Sequence, residues 1–265
     1  MPTAAVLCDP PREGVVLADL AATTPLSTAD VADLYAAMCA DVLRAVEASA
    51  SDLLVNYRPD EALPDEADER DKPDEPTDGD GRNEQDAESA VRALADAALD
   101  DPGAARYEVQ VGSTFAARMG NTVTHLLDTE DETSVAVVEP TAPFLARGDL
   151  DGMAMKLRRS DVVLGPTSGG RVHYAGFASS VDFEEADAPP AIGTLTDRAH
   201  DAGHDVDFGP MHPIVETRED LIGALSLIRA RRRAGREVPT RTAACLDDLG
   251  VELIKSRDGL NLTLG

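Results

Sequence analysis

An apolar run, Ala136-Val137-Val138, stops at Glu139-Pro140 and gives way to a loop. A carboxylate placed there is a candidate divalent-metal ligand, because ligands of open α/β sheets sit in the crevice beyond the carboxyl ends of the strands. Gly169-Gly170, directly after Thr167-Ser168, would let the backbone approach a ligand closely. Arg118 is a cation within an amphipathic stretch and either reaches a ligand or pairs with an acidic neighbour. His200 and His204 have the i, i+4 spacing of a helical metal pair, but no third ligand accompanies them and Gly203 and Asp205 suggest that the helix ends there. Arg229-Ala230-Arg231-Arg232-Arg233-Ala234-Gly235-Arg236 is the only basic cluster, suited to a helix C-terminus and to pairing with acidic surfaces. Neither a nucleophile elbow nor a Gly-x-x-x-x-Gly-Lys phosphate loop appears.

The elements that must position these residues belong to a chain of 265 residues, long enough for one large core. Its charge is extreme: 24 Lys+Arg face 50 Asp+Glu, for a formal net charge of −26. Lys72, Lys156 and Lys255 are the only lysines, Trp is absent and aromatic residues make up 3%. Such a surface repels nucleic acid and anionic membranes, so neither is expected as a partner. Acidic residues run through the whole sequence, as suits a salt-rich cytoplasm in which ionic strength screens self-repulsion. The N-terminus lacks a basic region followed by a long apolar one, no run would span a bilayer, and a cytoplasmic location is expected. Cys8, Cys39 and Cys245 match no metal spacing and read as buried free thiols.

Strands are predicted over 4–8, 53–55, 107–111, 136–138, 161–164 and 172–177 from their short apolar runs. Val31, Leu34, Tyr35, Met38, Val42 and Val46 recur at helical spacing behind Ser27 or Thr28 as N-cap. Further helices are predicted over 87–99, from 112–114 onward with Phe115, Met119, Val123 and Leu126 on one face, over 150–158, 191–202 and 217–233. Residues 58–86 are rich in Asp, Glu, Pro and Gly and read as a disordered acidic insertion. Apolar residues on both sides of Asp258-Gly259 predict a terminal hairpin within an extension over 236–265. Alternating strands and helices make the expected class α/β, a mostly parallel sheet flanked by helices.

Four segments in register then resemble one family. Gly112-Ser113-Thr114-Phe115-Ala116-Ala117-Arg118-Met119 is similar to its Gly-Asp-Leu-Gly-x-Arg-Met segment. Val138-Glu139-Pro140-Thr141-Ala142-Pro143 falls where that family has a strand ending in Gly-Ser-Asp-x-Pro. Val163 to Phe177 parallels Leu-Gly-Pro-x-x-Asp-Gly-Gly-Tyr-x-Leu-x-Gly, and Ile214 to Leu221 parallels a final Asp-x-Asp-Thr-x-Glu-Asp-Leu. The family is DUF2064, small proteins like nucleotide-diphospho-sugar transferases with the GT-A fold, and the resemblance spans roughly residues 4–227 without the insertion.

The resemblance implies a GT-A-like domain over 1–235 and a nucleotide-activated small-molecule donor, glycosyl or nucleotidyl. In an active enzyme Mg²⁺ or Mn²⁺ would bridge the diphosphate. By this resemblance Glu139 stands for the metal ligand, Asp9, Arg12 and Arg118 for the nucleotide site, Ser168, Gly169, Gly170 and His173 for the acceptor loop, and Glu216 for a late catalytic carboxylate. The departures are specific. Thr141 or Ala142 stands where the metal Asp is expected, Thr167-Ser168 replaces an acidic pair, Arg171 and His173 replace apolar or aromatic positions, and Arg12 alone remains of a basic N-terminal run. Three readings remain: a transferase, a non-catalytic binding protein on the same scaffold, and a guanylyltransferase of the kind that builds a deazaflavin cofactor precursor.

Overall fold

The strands that form the centre of the sheet read as continuous apolar runs because both of their faces are covered. In a computed structural model describing residues 2–63, 86–256 and 259–265, β1 (Thr3–Cys8) is buried along its length, as is β4 (Val135–Val138). With β2 (Asp52–Tyr57), β3 (Arg106–Val109), β5 (Val162–Pro166), β6 (Val172–Phe177) and β7 (Val206–Phe208) they form a seven-stranded sheet of order β3-β2-β1-β4-β6-β5-β7. Every neighbouring pair is parallel except the two that involve β6, which runs antiparallel to β4 and β5. The expected α/β class and mostly parallel sheet are therefore present.

Helices cover both faces. On one, α2 (Thr28–Ala48), α3 (Ala87–Ala98) and α5 (Arg147–Lys156) bring Cys39, Leu43, Val91 and Met153 against Val6, Val55 and Val138. On the other, α4 (Phe115–Thr124) and α6 (Ala191–Asp201) bring Met119, Val123 and Leu195 against Leu54, Val137 and Leu164. The adjacent strand residues Leu54 and Val55, or Val137 and Val138, thus serve opposite cores.

Ser27 starts α2 with a reciprocal capping box: its hydroxyl accepts from the Asp30 N–H at 3.1 Å and Asp30 accepts from the Ser27 N–H at 2.8 Å. The far side of α2 builds a third core with α1 (Ala18–Thr23), α7 (Arg218–Arg233), α8 (Thr240–Asp248) and the antiparallel pair β8 (Val251–Ser256) and β9 (Gly259–Leu264). Leu34, Met38, Leu225, Leu246 and Leu262 meet there. The turn residues 257 and 258 and most of the acidic run, 64–85, lie outside the described residues. Where the acidic run leaves and re-enters the fold, Asp60 accepts from the Ala87 N–H at 2.9 Å and from Arg12 at 2.5 Å, so its two flanks are tied together.

Helices α1 and α8 and strand β7 were not visible in the periodicity, being too short to repeat it. The start of α8 is held by a side chain remote in sequence: Asp41 of α2 accepts from the Thr242 N–H at 2.9 Å, the Thr242 hydroxyl at 2.8 Å and the Arg241 N–H at 3.1 Å. Among the described residues no helix is long and apolar enough to cross a membrane.

One glycine sets the approach to α4. Gly112 has φ +138°, and a Cβ there would lie 2.8 Å from the Arg118 nitrogen and 2.9 Å from the Ala117 carbonyl carbon, both backbone atoms that cannot swing aside. Gly112→Ala should therefore cost on the order of 1–3 kcal/mol of stability in denaturant unfolding. Gly148→Ala in α5, with nothing within 4 Å of the added carbon, should leave stability unchanged or raise it.

Candidate functional site

The parallel strands β1, β2 and β3 deliver Asp9, Arg58 and Gln110 to the same edge of the sheet, and β4 delivers Glu139 beside them. Because β6 is reversed, its beginning lies at this edge too, and Arg171 precedes it. The buried pair Ile214-Val215 leads in from the other side and places Glu216 just before the N-cap of α7.

Gln110 organises one wall. It is 4% exposed; its amide donates to the carbonyls of Cys8 at 3.1 Å and Asn56 at 2.8 Å, while its own oxygen accepts from the Arg118 Nε at 2.7 Å. Arg118, half-buried on α4, is thereby held by a neutral partner, and among the described residues it makes no ion pair within 4.0 Å. Burial and the neighbouring Arg58 lower its hold on its proton, while Asp9, Asp187 and Glu139 act the other way. Asp9 accepts from Arg58 at 2.8 Å, and its N–H donates to the Tyr35 hydroxyl at 2.8 Å. Burial raises the Asp9 carboxyl above its ordinary range despite Arg58 and Arg118.

Glu139 follows β4 with its N–H bonded to the His173 carbonyl at 3.0 Å. Its carboxyl accepts no hydrogen bond among the described residues and is pushed up to about 8, first by burial, then by repulsion from Glu216 and Asp9; Arg171 and Arg118 only partly offset these. At neutral pH the protonated acid predominates.

The opposite wall is closed by a guanidinium fork. Arg171 Nη1 donates to Glu216 at 2.8 Å, and Nη2 donates to both oxygens of Asp220 at 2.8 and 2.9 Å. Its Nε donates to the Ser168 carbonyl at 3.2 Å, and the Ser168 hydroxyl donates to Asp220 at 3.2 Å. Burial works to raise Asp220, but Arg171 and Thr217 hold it below the usual carboxylate range. The Thr141 hydroxyl takes the other oxygen of Glu216 at 3.2 Å. Between the walls is a cleft of about 230 Å³, with Glu139, Arg171, Glu216 and Asp187 at its polar positions and Phe115, Met119, Leu195 and Ile214 among its apolar ones.

The residues singled out in the sequence divide accordingly. Glu139 and Glu216 line the cleft, and Asp9 and Arg118 act on Glu139 electrostatically from the adjoining wall. Arg12 lies apart, bonded to Asp60. Gly169 and Gly170 both have left-handed backbones, at φ +71° and +75°, and a Cβ on Gly170 would lie 2.7 Å from Pro190; the close approach there is to the protein's own chain. His173 is fully buried, bonded to the Pro210 carbonyl at 3.0 Å and edge-on to His212 at 5.2 Å; burial lowers it to about 4. It does not line the cleft. Arg58, Gln110 and Asp187 carried no motif, Asp220 was visible only as a matching position of the last motif with no role given to it, and Arg171 only as a cation standing where an apolar or aromatic residue is expected.

Among the described residues, one trio brings three metal-ligand atoms within 4.8 Å of one another: Glu108, His125 and Glu130, at the β3 edge. Arg106 is bonded to Glu108 and, at 2.8 Å, to Glu130. The strand-end carboxylates do not converge in this way, and Thr141 and Ala142, one of which stands where a strand-end Asp was expected, are both buried.

No protein-family model matches the sequence, and neither does any curated protein. Among solved structures, a candidate nucleotide-diphospho-sugar transferase from Desulfovibrio desulfuricans G20 superposes with a TM-score of 0.67 at 17% identity, over 94% of this chain and 96% of that one. A cytidylyltransferase from Leptospira borgpetersenii gives 0.48 at 9% identity, over 93% of each chain. The chain has the fold of the first of these proteins.

The Glu139 carboxyl should titrate with a midpoint near 8 in carbon-detected NMR, and Glu216→Gln should bring that midpoint down by removing a repelling charge. Since its folded-state value lies above the unfolded 4.5, Glu139 contributes stability that is present below about 4.5 and lost as pH rises through about 8. Unfolding midpoints of the wild type should fall across that window relative to Glu139→Gln.

Proposed function

We propose that this chain is a transferase-like protein that receives a nucleotide-activated donor across the carboxyl ends of β1, β2 and β4, as the DUF2064 resemblance implies. The observation that carries the reading is Arg118. In a chain of net charge −26, a half-buried arginine at the strand ends is held through Nε by an uncharged amide, and among the described residues its two terminal amino groups have no hydrogen-bond partner, which suits them to an anion. A guanidinium offers a phosphate two parallel hydrogen bonds, with Arg58 adding positive charge nearby. Asp9, restrained by Arg58 and Tyr35, flanks the nucleotide.

Glu139 is the acid–base group of this reading. A carboxyl that titrates near 8 is matched to neutral pH, where it can give a proton to a departing phosphate oxygen or take one from an attacking acceptor. The strand ends offer Mg²⁺ or Mn²⁺ little protein ligation: Glu216 is committed to Arg171 and Thr141, and among the described residues no three ligand atoms converge there, so an ion at this place would rest on Glu139, phosphate oxygens and water. Charge neutralisation at the phosphates therefore falls first to Arg118 and Arg58.

The second reading, a binding protein without catalysis, is favoured by the fork of Arg171, which engages the late carboxylate Glu216. Calorimetric titration in molar KCl with UDP-, GDP- and CDP-linked ligands tests both, and the guanylyl reading with them. Wild type should bind one class with an affinity unchanged by Mn²⁺, and Arg118→Ala should weaken it by roughly 10–100-fold, the value of a charge-assisted hydrogen bond. Glu139→Gln should keep the binding and lose any transfer. A folded protein that binds none of the three would remove the nucleotide reading.

A further inference from the structure

The cleft's own lining specifies a ligand class, and we infer that it takes a small organic cation, a primary ammonium on a compact hydrocarbon body. This deepens the reading above by giving the acceptor's chemistry, and it rests on that reading only in calling the ligand an acceptor. Charge disfavours anions: Glu216 and Asp187 line the cleft beside a Glu139 that is protonated at neutral pH, and Arg171 is the only cation of the lining, already shared between Glu216 and Asp220. The Glu139 carboxyl also has no hydrogen-bond partner of its own among the described residues, and an entering cation would favour the ionised form that Glu216 and Asp9 disfavour.

Carbon decides what kind of cation. Phe115, Met119, Ala191, Leu195 and Ile214 make up much of the wall. A divalent ion keeps a shell of water or other oxygen ligands, to which this carbon wall adds none. An alkylammonium presents three donors at one end and buries the rest, so each part of the wall meets matching chemistry. Size is compatible with this ligand. At about 230 Å³ the cleft exceeds the ~150 Å³ of an apolar cavity that holds benzene, so a six-membered ring with one substituent fits. The nucleotide lies on the Arg118 side.

The test uses the full chain in molar KCl without nucleotide, titrated with cyclohexylamine, cyclohexanol and cyclohexanecarboxylate at pH 7, followed by calorimetry and ligand-observed NMR. The amine should bind about tenfold or more tighter than the alcohol, as one charge-assisted hydrogen bond requires, and the carboxylate should not bind. The isosteric Glu216→Gln should erase the preference for the amine, and Asp187→Asn, on an exposed residue, should reduce it even if the first variant folds poorly. Equal binding of amine and alcohol, tighter binding of the carboxylate, no amine binding by a folded sample, or Mn²⁺ binding that Glu216→Gln abolishes would each overturn the assignment. Amine binding without nucleotide binding would leave the cleft's ligand class standing and remove the donor site, and the converse would do the reverse.

Discussion

The amide of Gln110 joins three strand ends to the helix that faces them. Its N–H is bonded to the Tyr57 carbonyl at 2.7 Å, its side chain reaches the carbonyls of Cys8 and Asn56, and its oxygen holds Arg118. A buried amide left unpaired would cost about 1–3 kcal/mol per group, so these bonds favour a single arrangement of β1, β2 and α4. The identity of the residue matters as much as its position. An acid at 110 would form a salt bridge with Arg118 and consume its charge. A neutral amide orients the guanidinium and leaves the charge for something else.

The two walls of the cleft are built on different physics. The Gln110 side stands on parallel strands whose register is fixed by backbone ladders, with Asp9 and Glu139 directly beyond them. The other side consists of a glycine turn and the entry to α7, segments that share no strand pairing and meet through side chains: Arg171 with Glu216 and Asp220, Ser168 with Asp220, Thr141 with Glu216. The reversal of β6 makes this possible, since a parallel strand would have brought its C-terminal end, Phe177, to the edge in place of Arg171.

Much of the scaffold was legible in the sequence because it follows from local chemistry. Ser27 and the recurrence from Val31 to Val46 define α2, and doubly covered strands announce themselves as apolar runs that stop at Asp9 or Glu139. What was illegible depends on residues far apart. The bond from Gln110 to Cys8 spans 102 positions, Arg171 to Asp220 spans 49, and Asp41 caps α8 across 201. A residue's type also says nothing about its direction. His173 and Gly170 sit in a loop motif that suggests a ligand, but one is packed into the interior and the other accommodates Pro190.

Salt divides this molecule into two electrical regimes. Repulsion among exposed carboxylates acts over distances that shrink from about 10 Å at 0.1 M to about 3 Å at 1 M ionic strength, so a concentrated electrolyte quiets the outer shell. The fork of Arg171 spans only 2.8–2.9 Å and is half-buried, with Asp220 almost enclosed at 8% side-chain exposure. Short, partly enclosed contacts of this kind are screened less than exposed charges, so this wall of the cleft responds to salt less than the surface around it.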